Sequence, residues 1–230
     1  MMKRRAVILM SISALLIAFA GCVSLWPRKQ SGFLVDYSSL QPDPGQEDIL
    51  FFRNPQKSPE LVSEQYPAVT IAPVVVYFDS DVVGLAVDPE ELQALVDRFK
   101  QDLVAALAKN HKVVDLPAPN VARLRIAFSG VAFSRFRLST HPSLAAIDLG
   151  DASLEAEMVD SKTAERISAL MDTRKRGEYV KLDEATIRRN AEAVFGDWVS
   201  LIADWVDGLY AVPEPAPEAA KGDEAVEKSP

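Results

Sequence analysis

Residues 123–138 read RLRIAFSGVAFSRFRL, and this stretch decides the fold. Its polarity alternates with a period of two. Leu124, Ile126, Phe128, Phe136 and Leu138 share one face, and Arg123, Arg125, Ser129, Arg135 and Arg137 share the other. Only a pleated strand separates residues in this way, so the pattern predicts a long strand with one buried face.

Downstream, ASLEAEMVDSKTAERISALM (152–171) predicts two further strands joined by a tight turn at Asp160-Ser161-Lys162-Thr163. The last apolar rhythm belongs to Ile187, Ala191, Val194, Trp198, Leu201, Trp205 and Leu209. These steps of three and four predict an amphipathic helix after Asp183, with Trp198 and Trp205 in the core against the sheet.

Upstream, AVTIAPVVVYF (68–78) is β-branched and apolar on both faces, which predicts a buried strand in which Pro73 marks either a bulge or the point where pairing begins. Asp88-Pro89-Glu90-Glu91 opens a helix carried by Leu92, Leu95, Val96, Phe99, Leu103 and Leu107. HKVVDL (111–116) reads as a short strand. SGFLVDYSSLQPDPGQED (31–48) reads as an irregular segment whose apolar residues pack onto a larger body, and FFRNPQKSPEL (51–61) as loop, with Pro55 and Pro59 blocking regular structure. Grouped strands flanked by helices predict an α+β single domain. Its mixed, mostly antiparallel sheet would have about four to five strands, with two long amphipathic helices on one face.

The N-terminus reads as an address. Lys3, Arg4 and Arg5 precede an uncharged apolar run from Ala6 to Ala20, too short for the roughly 20 residues that span a bilayer. Phe19-Ala20-Gly21-Cys22 then resembles the lipobox of bacterial lipoproteins, with Phe19 where leucine is usual. The resemblance implies a leader over 1–21, a lipidated Cys22 as first mature residue, and Val23 favouring the outer membrane. Lipidation with several chains holds durably, where one chain does not. Residues 22–31 would form the tether, 32–212 the periplasm-facing domain, and 213–230 a disordered Pro/Ala/Glu-rich tail.

Cys22 is the sole cysteine, so the domain must be held by its core alone, without a disulfide. Loss of the leader removes three basic residues and leaves 22 basic against 33 acidic side chains. That balance argues against nucleic acid or anionic headgroups as the main partner.

Chemical motifs are sparse. The two histidines, His111 and His141, fall in different elements without a carboxylate pattern. Asp79-Ser80-Asp81 leaves a strand end, where paired carboxylates can hold a divalent cation, although such pairs are also common in solvated loops. There is no G-x-S-x-G elbow, no glycine-rich phosphate loop and no H-E-x-x-H. The reading is therefore non-enzymatic, with no cofactor. A metal-dependent hydrolase built on Asp79, Asp81 and His141 is the competing view. Arg123, Arg125, Arg135 and Arg137, with Arg174, Lys175 and Arg176 on a later strand, are candidates for docking an acidic partner or a polyanion such as lipopolysaccharide or peptidoglycan, against the plainer reading of a solvated face with cross-strand ion pairs to Glu155, Glu157 and Glu165.

Five pieces together resemble the bacterial lipoproteins of the domain of unknown function 3313 family: SGFLVDYSSLQP, VTIAPVVVYF, the acid-capped helix, EMVDSKTAERI, and FGDWVSLIADWVDGL. The hairpin also looks like one in lipoprotein subunits of envelope transport and secretion systems. The family supplies no reaction to carry over. The reading taken here is a binding or scaffolding module of an envelope assembly, bound to the membrane through Cys22 and to an unidentified envelope protein; the alternative is an accessory subunit of an envelope transport or secretion system, with homo-oligomerisation left open.

Overall fold

The longest strand, β5, runs from Val121 to Arg135 and organises everything else. A computed structural model of the chain describes residues 30–78, 89–135, 145–148, 152–173 and 184–211. In chain order the elements are β1 (Gln41–Asp43), β2 (Gln46–Arg53), α1 (Pro59–Gln65), β3 (Ala68–Ile71), β4 (Val75–Phe78), α2 (Pro89–Leu107), β5, β6 (Ala145–Asp148), β7 (Ser153–Asp160), β8 (Arg166–Asp172) and α3 (Glu184–Tyr210).

The sheet runs β1-β2-β8-β7-β5-β3, with β4 and β6 also paired to β5. All pairs are antiparallel except β3 and β4, which lie parallel to β5 along successive stretches of it. A parallel neighbour needs a crossover, and α2 supplies it between β4 and β5. The α+β class and the mixed, mostly antiparallel sheet agree with the sequence. The eight strands among the described residues exceed the four to five expected.

Four elements account for the difference. Pro73 divides the expected strand at 68–78 into fully buried β3 and a more exposed β4. The segment read as irregular folds into the β1–β2 hairpin, its turn held by Gly45 N–H donating to Asp43 Oδ1 at 2.8 Å. In FFRNPQKSPEL, Phe51–Arg53 close β2, and Pro59 starts α1 behind the N-cap Ser58. Proline was read as a breaker there, but at the first helical position its missing N–H costs nothing. β6 had no distinct pattern of its own. Conversely, HKVVDL yields only a single bridge, Val113 to Val69.

One face of the sheet packs on α2 and α3. Leu124, Ile126 and Phe128 of β5, Leu154, Ala156 and Met158 of β7, and Phe99, Leu103, Trp198, Ile202 and Val206 of the helices form one buried core. Aromatic rings fill its centre: Phe128 stacks on Trp198 with centroids 5.0 Å apart and meets Phe99 edge-on at 4.9 Å. Trp198 Nε1 donates to Asp172 Oδ2 at 3.0 Å and Trp205 Nε1 to Ser168 Oγ at 3.1 Å, so both tryptophans face the sheet.

The expected single buried face of β5 needs correcting. Ala127 and Ser129, on its other face, are buried as well. Val131 joins the same core as Phe128 although an odd step of three positions lies between them, because Gly130 takes a left-handed φ of 68° and forms a bulge that shifts the alternation. Phe136 and Leu138 lie outside the described residues.

Candidate functional site

What covers the second face is the segment Ser31–Leu40, SGFLVDYSSL, here called the strap. It forms no strand with the sheet. Phe33, Leu34 and Leu40 bury themselves against Leu50, Ala127, Ala169 and Met171. Gly32, at φ 83°, makes the bend that lets the next two residues turn inward.

The strap is then stitched down by charge and hydroxyl groups. Glu155 of β7 has 0% exposure, and its carboxylate accepts from four donors. These are Tyr37 OH at 2.5 Å, Ser31 Oγ at 3.0 Å, Ser31 N–H at 3.2 Å and Ser129 Oγ at 2.8 Å. A buried carboxylate is tolerated only when so satisfied. Tyr37 Oη accepts in turn from Gly32 N–H at 3.0 Å and Leu34 N–H at 3.2 Å, closing the strap into a loop. Burial and the neighbouring Glu155 push the Tyr37 phenol above its ordinary value.

Two arginines flank this centre. Arg125 pairs with Glu157, directly opposite it on β7, and lies 5.0 Å over the Phe33 ring. Burial raises the Glu157 carboxyl above the usual range, and the Arg125 charge offsets that only in part. Arg166 donates to Asp36 C=O at 2.8 Å and Ser39 Oγ at 2.7 Å, and covers the Phe52 ring at 4.2 Å. Hydrogen bonds from the Ser38 hydroxyl above all, then from Ser39 and the Ser38 N–H, with the Arg166 charge, hold Asp36 down at about 2. At the loop's tip Val35 is 87% exposed.

A second polar cluster ties the helices together. His111 Nε2 meets Asp207 Oδ1 at 2.6 Å, and Asn110 Nδ2 donates to Asp207 Oδ2 at 2.7 Å. The His111 ring lies 4.7 Å from that of Tyr210, whose hydroxyl, pushed up by burial, donates to Tyr66 C=O at 3.1 Å. The imidazole's described hydrogen bond runs to Asp207, so this pair joins the end of α2 to α3. Among the described residues no group of three or more His, Cys, Asp or Glu is placed to hold a metal ion.

Of the residues singled out by sequence, Arg123 and Arg125 stand half-buried on the strap side of β5. Arg135 pairs with Ala145 at the strand's far end. Cys22, Asp79, Asp81, Arg137 and His141 lie outside the described residues, as do Arg174, Lys175 and Arg176. Of the ion pairs expected for the arginine face, Arg125–Glu157 is present; Glu155 is met by hydroxyls, and Glu165 by Lys57 at 3.2 Å.

The strap's anchor points were not foreseen. The available signal was Glu155-Ala156-Glu157, two acids on one face of an apolar strand, opposite a strand that presents Arg125 and Ser129.

A family model described as "Protein of unknown function (DUF3313)" matches residues 29–202. No curated protein matches the sequence. Several solved structures resemble the chain at low identity, three of them as follows. A homolog of neuraminyllactose-binding hemagglutinin from Helicobacter pylori shares 12% identity, with TM-score 0.42 over 64% of this chain and 90% of its own. A DUF330 protein from Xanthomonas campestris shares 13%, with TM-score 0.39 over 68% and 90%. A PelC dodecamer from Paraburkholderia phytofirmans shares 13%, with TM-score 0.36 over 71% and 98%. Among the described residues no helix is long and apolar enough to cross a membrane.

Proposed function

The chain belongs to the DUF3313 family of proteins of unknown function, and from that premise we propose that it is a lipid-anchored, non-enzymatic binding or scaffolding module of a bacterial envelope. The single observation that carries this reading is the order of parts at the N-terminus. A basic triplet, a short apolar run and Ala20-Gly21-Cys22 are followed, nine residues after the cysteine, by the strap. The cysteine thiol takes the lipid, the leader is removed before it, and the acidic domain faces the periplasm. Val23 directs the lipoprotein to the outer membrane.

The polar groups described in the interior support a role in surfaces rather than in chemistry. Glu155, Glu157, Asp172 and His111 are each engaged in joining one element to another.

A second reading is an accessory subunit of an envelope transport or secretion system that assembles with copies of itself. In its favour are Val75 and Tyr77 of β4, 38% and 37% exposed on a short apolar strand. Crosslinking in intact cells separates the two: a ladder of homo-oligomers supports the second, capture of a different envelope protein alone the first.

For the anchor itself, cells fed a palmitate analogue are expected to label the wild-type chain and not Cys22→Ala, which leaves the membrane fraction. A labelled Cys22→Ala protein, or one that stays with membranes as before, overturns the reading.

A further inference from the structure

We infer that the strap fixes the orientation of the domain on its membrane, holding the strap face of the sheet toward the bilayer and α2 away from it. This rests on the lipid-anchor reading above and adds to it a surface and a direction.

Length decides the point. From Cys22 to Ser31 the chain has nine residues, which reach at most about 30 Å. Among the described residues, Ser31 is the first bonded to the body, through its N–H and hydroxyl on Glu155. Glu155 belongs to β7, a strand flanked by β5 and β8 and so interior to the sheet. The tether is therefore gripped at the middle of one sheet face, not at an edge or at a frayed terminus. Without the strap's contacts it would run on to Gln41 at the start of β1. Nineteen residues reach roughly 65 Å, enough to let the domain turn freely. The contacts of Ser31, Tyr37 and Asp36 with Glu155 and Arg166 halve that reach and assign it to one face.

The opposite side follows from the layers. The strap occupies one face of the sheet and α2 the other. Gln101, exposed on the outer surface of α2, thus stands roughly 20 Å further from the strap side than Val35 does. Val35, at the tip of the loop closed by Tyr37, is directed toward the lipid.

The full-length lipidated protein tests this, because lipidation blocks Cys22 and leaves an introduced cysteine as the only free thiol. Val35→Cys and Gln101→Cys, each carrying a nitroxide, are reconstituted into phosphatidylethanolamine–phosphatidylglycerol vesicles containing a nickel-chelating lipid. Relaxation enhancement by nickel should be severalfold greater at position 35 than at 101. In a Tyr37→Phe/Glu155→Gln background of unchanged helix content the two positions should converge. Equal enhancement at both positions in protein that floats with vesicles overturns the orientation and leaves the anchor standing. Protein that fails to float overturns the anchor, and the orientation with it.

Discussion

Tyr37 donates its hydroxyl to Glu155 over 2.5 Å, joining residues 118 positions apart. The bond satisfies a carboxylate with no access to water, and the same oxygen gathers two strap N–H groups. Removing the hydroxyl strands polar groups on both sides of it. Tyr37→Phe should lower stability by about 1–3 kcal/mol in urea titration, the cost of unsatisfied buried groups. Ser129→Ala, which removes one of four donors and frees no N–H, should cost less. Equal losses in the two variants would mean that Tyr37 contributes packing alone.

The strap should also set the acid limb of stability. Asp36 sits at about 2 in the folded chain against an ordinary 3.8, so folding favours its ionised form. That contribution is complete above the ordinary value and is lost as pH falls toward 2. Asp36→Asn should flatten the stability profile over this interval and leave the slope near neutrality untouched. A variant whose acid limb overlays the wild type removes Asp36 from the account.

Glu157 behaves with the opposite sign. Burial raises its carboxyl, so the folded state favours the neutral form, and stability declines as pH rises through the folded value. Arg125 limits that decline. Arg125→Ala should therefore cost more near neutrality than in mildly acidic buffer, where Glu157 escapes the loss of its partner by taking a proton. A pH-independent penalty would show that Arg125 acts by covering Phe33 rather than by charge.

Two glycines should respond in opposite directions. Gly196 lies within α3, and a methyl added there meets nothing within 4 Å. Gly196→Ala should stabilise by about 0.5–1 kcal/mol. Gly130 holds a φ of 68° where β5 shifts its alternation, so Gly130→Ala should cost about 1–2 kcal/mol. Thermal unfolding of the pair checks both, and a stabilising Gly130→Ala would contradict the bulge.

These elements differ in how far the sequence disclosed them. α2, α3, β5 and the β7–β8 hairpin were legible because each carries its own period and its own punctuation. At the hairpin, Asp160 Oδ1 accepts from Lys162 and Thr163 N–H at 2.8 and 2.7 Å, a turn written into four consecutive residues. The β1–β2 hairpin was not legible, since its first residues are polar and exposed and only Ile49 and Leu50 are buried. α1 was hidden by reading Pro59 as a breaker. The strap was hidden for a different reason. Its partners Glu155 and Arg166 lie in strands more than a hundred residues away, and side-chain bonds of that range leave no periodicity. Two acids in an apolar strand marked where a second buried face would need donors, without saying which segment would bring them.

The central claim is that Cys22 is the first residue of the mature protein and carries lipid, with the strap receiving the tether nine residues later. Mass spectrometry of the N-terminal peptide, released from protein extracted from membranes, tests it most directly. The account predicts a peptide that begins at Cys22 and carries the mass of a thioether-linked diacylglycerol and an N-acyl chain. A peptide beginning at Met1, or at any residue after Cys22, or one with an unmodified thiol, would contradict it.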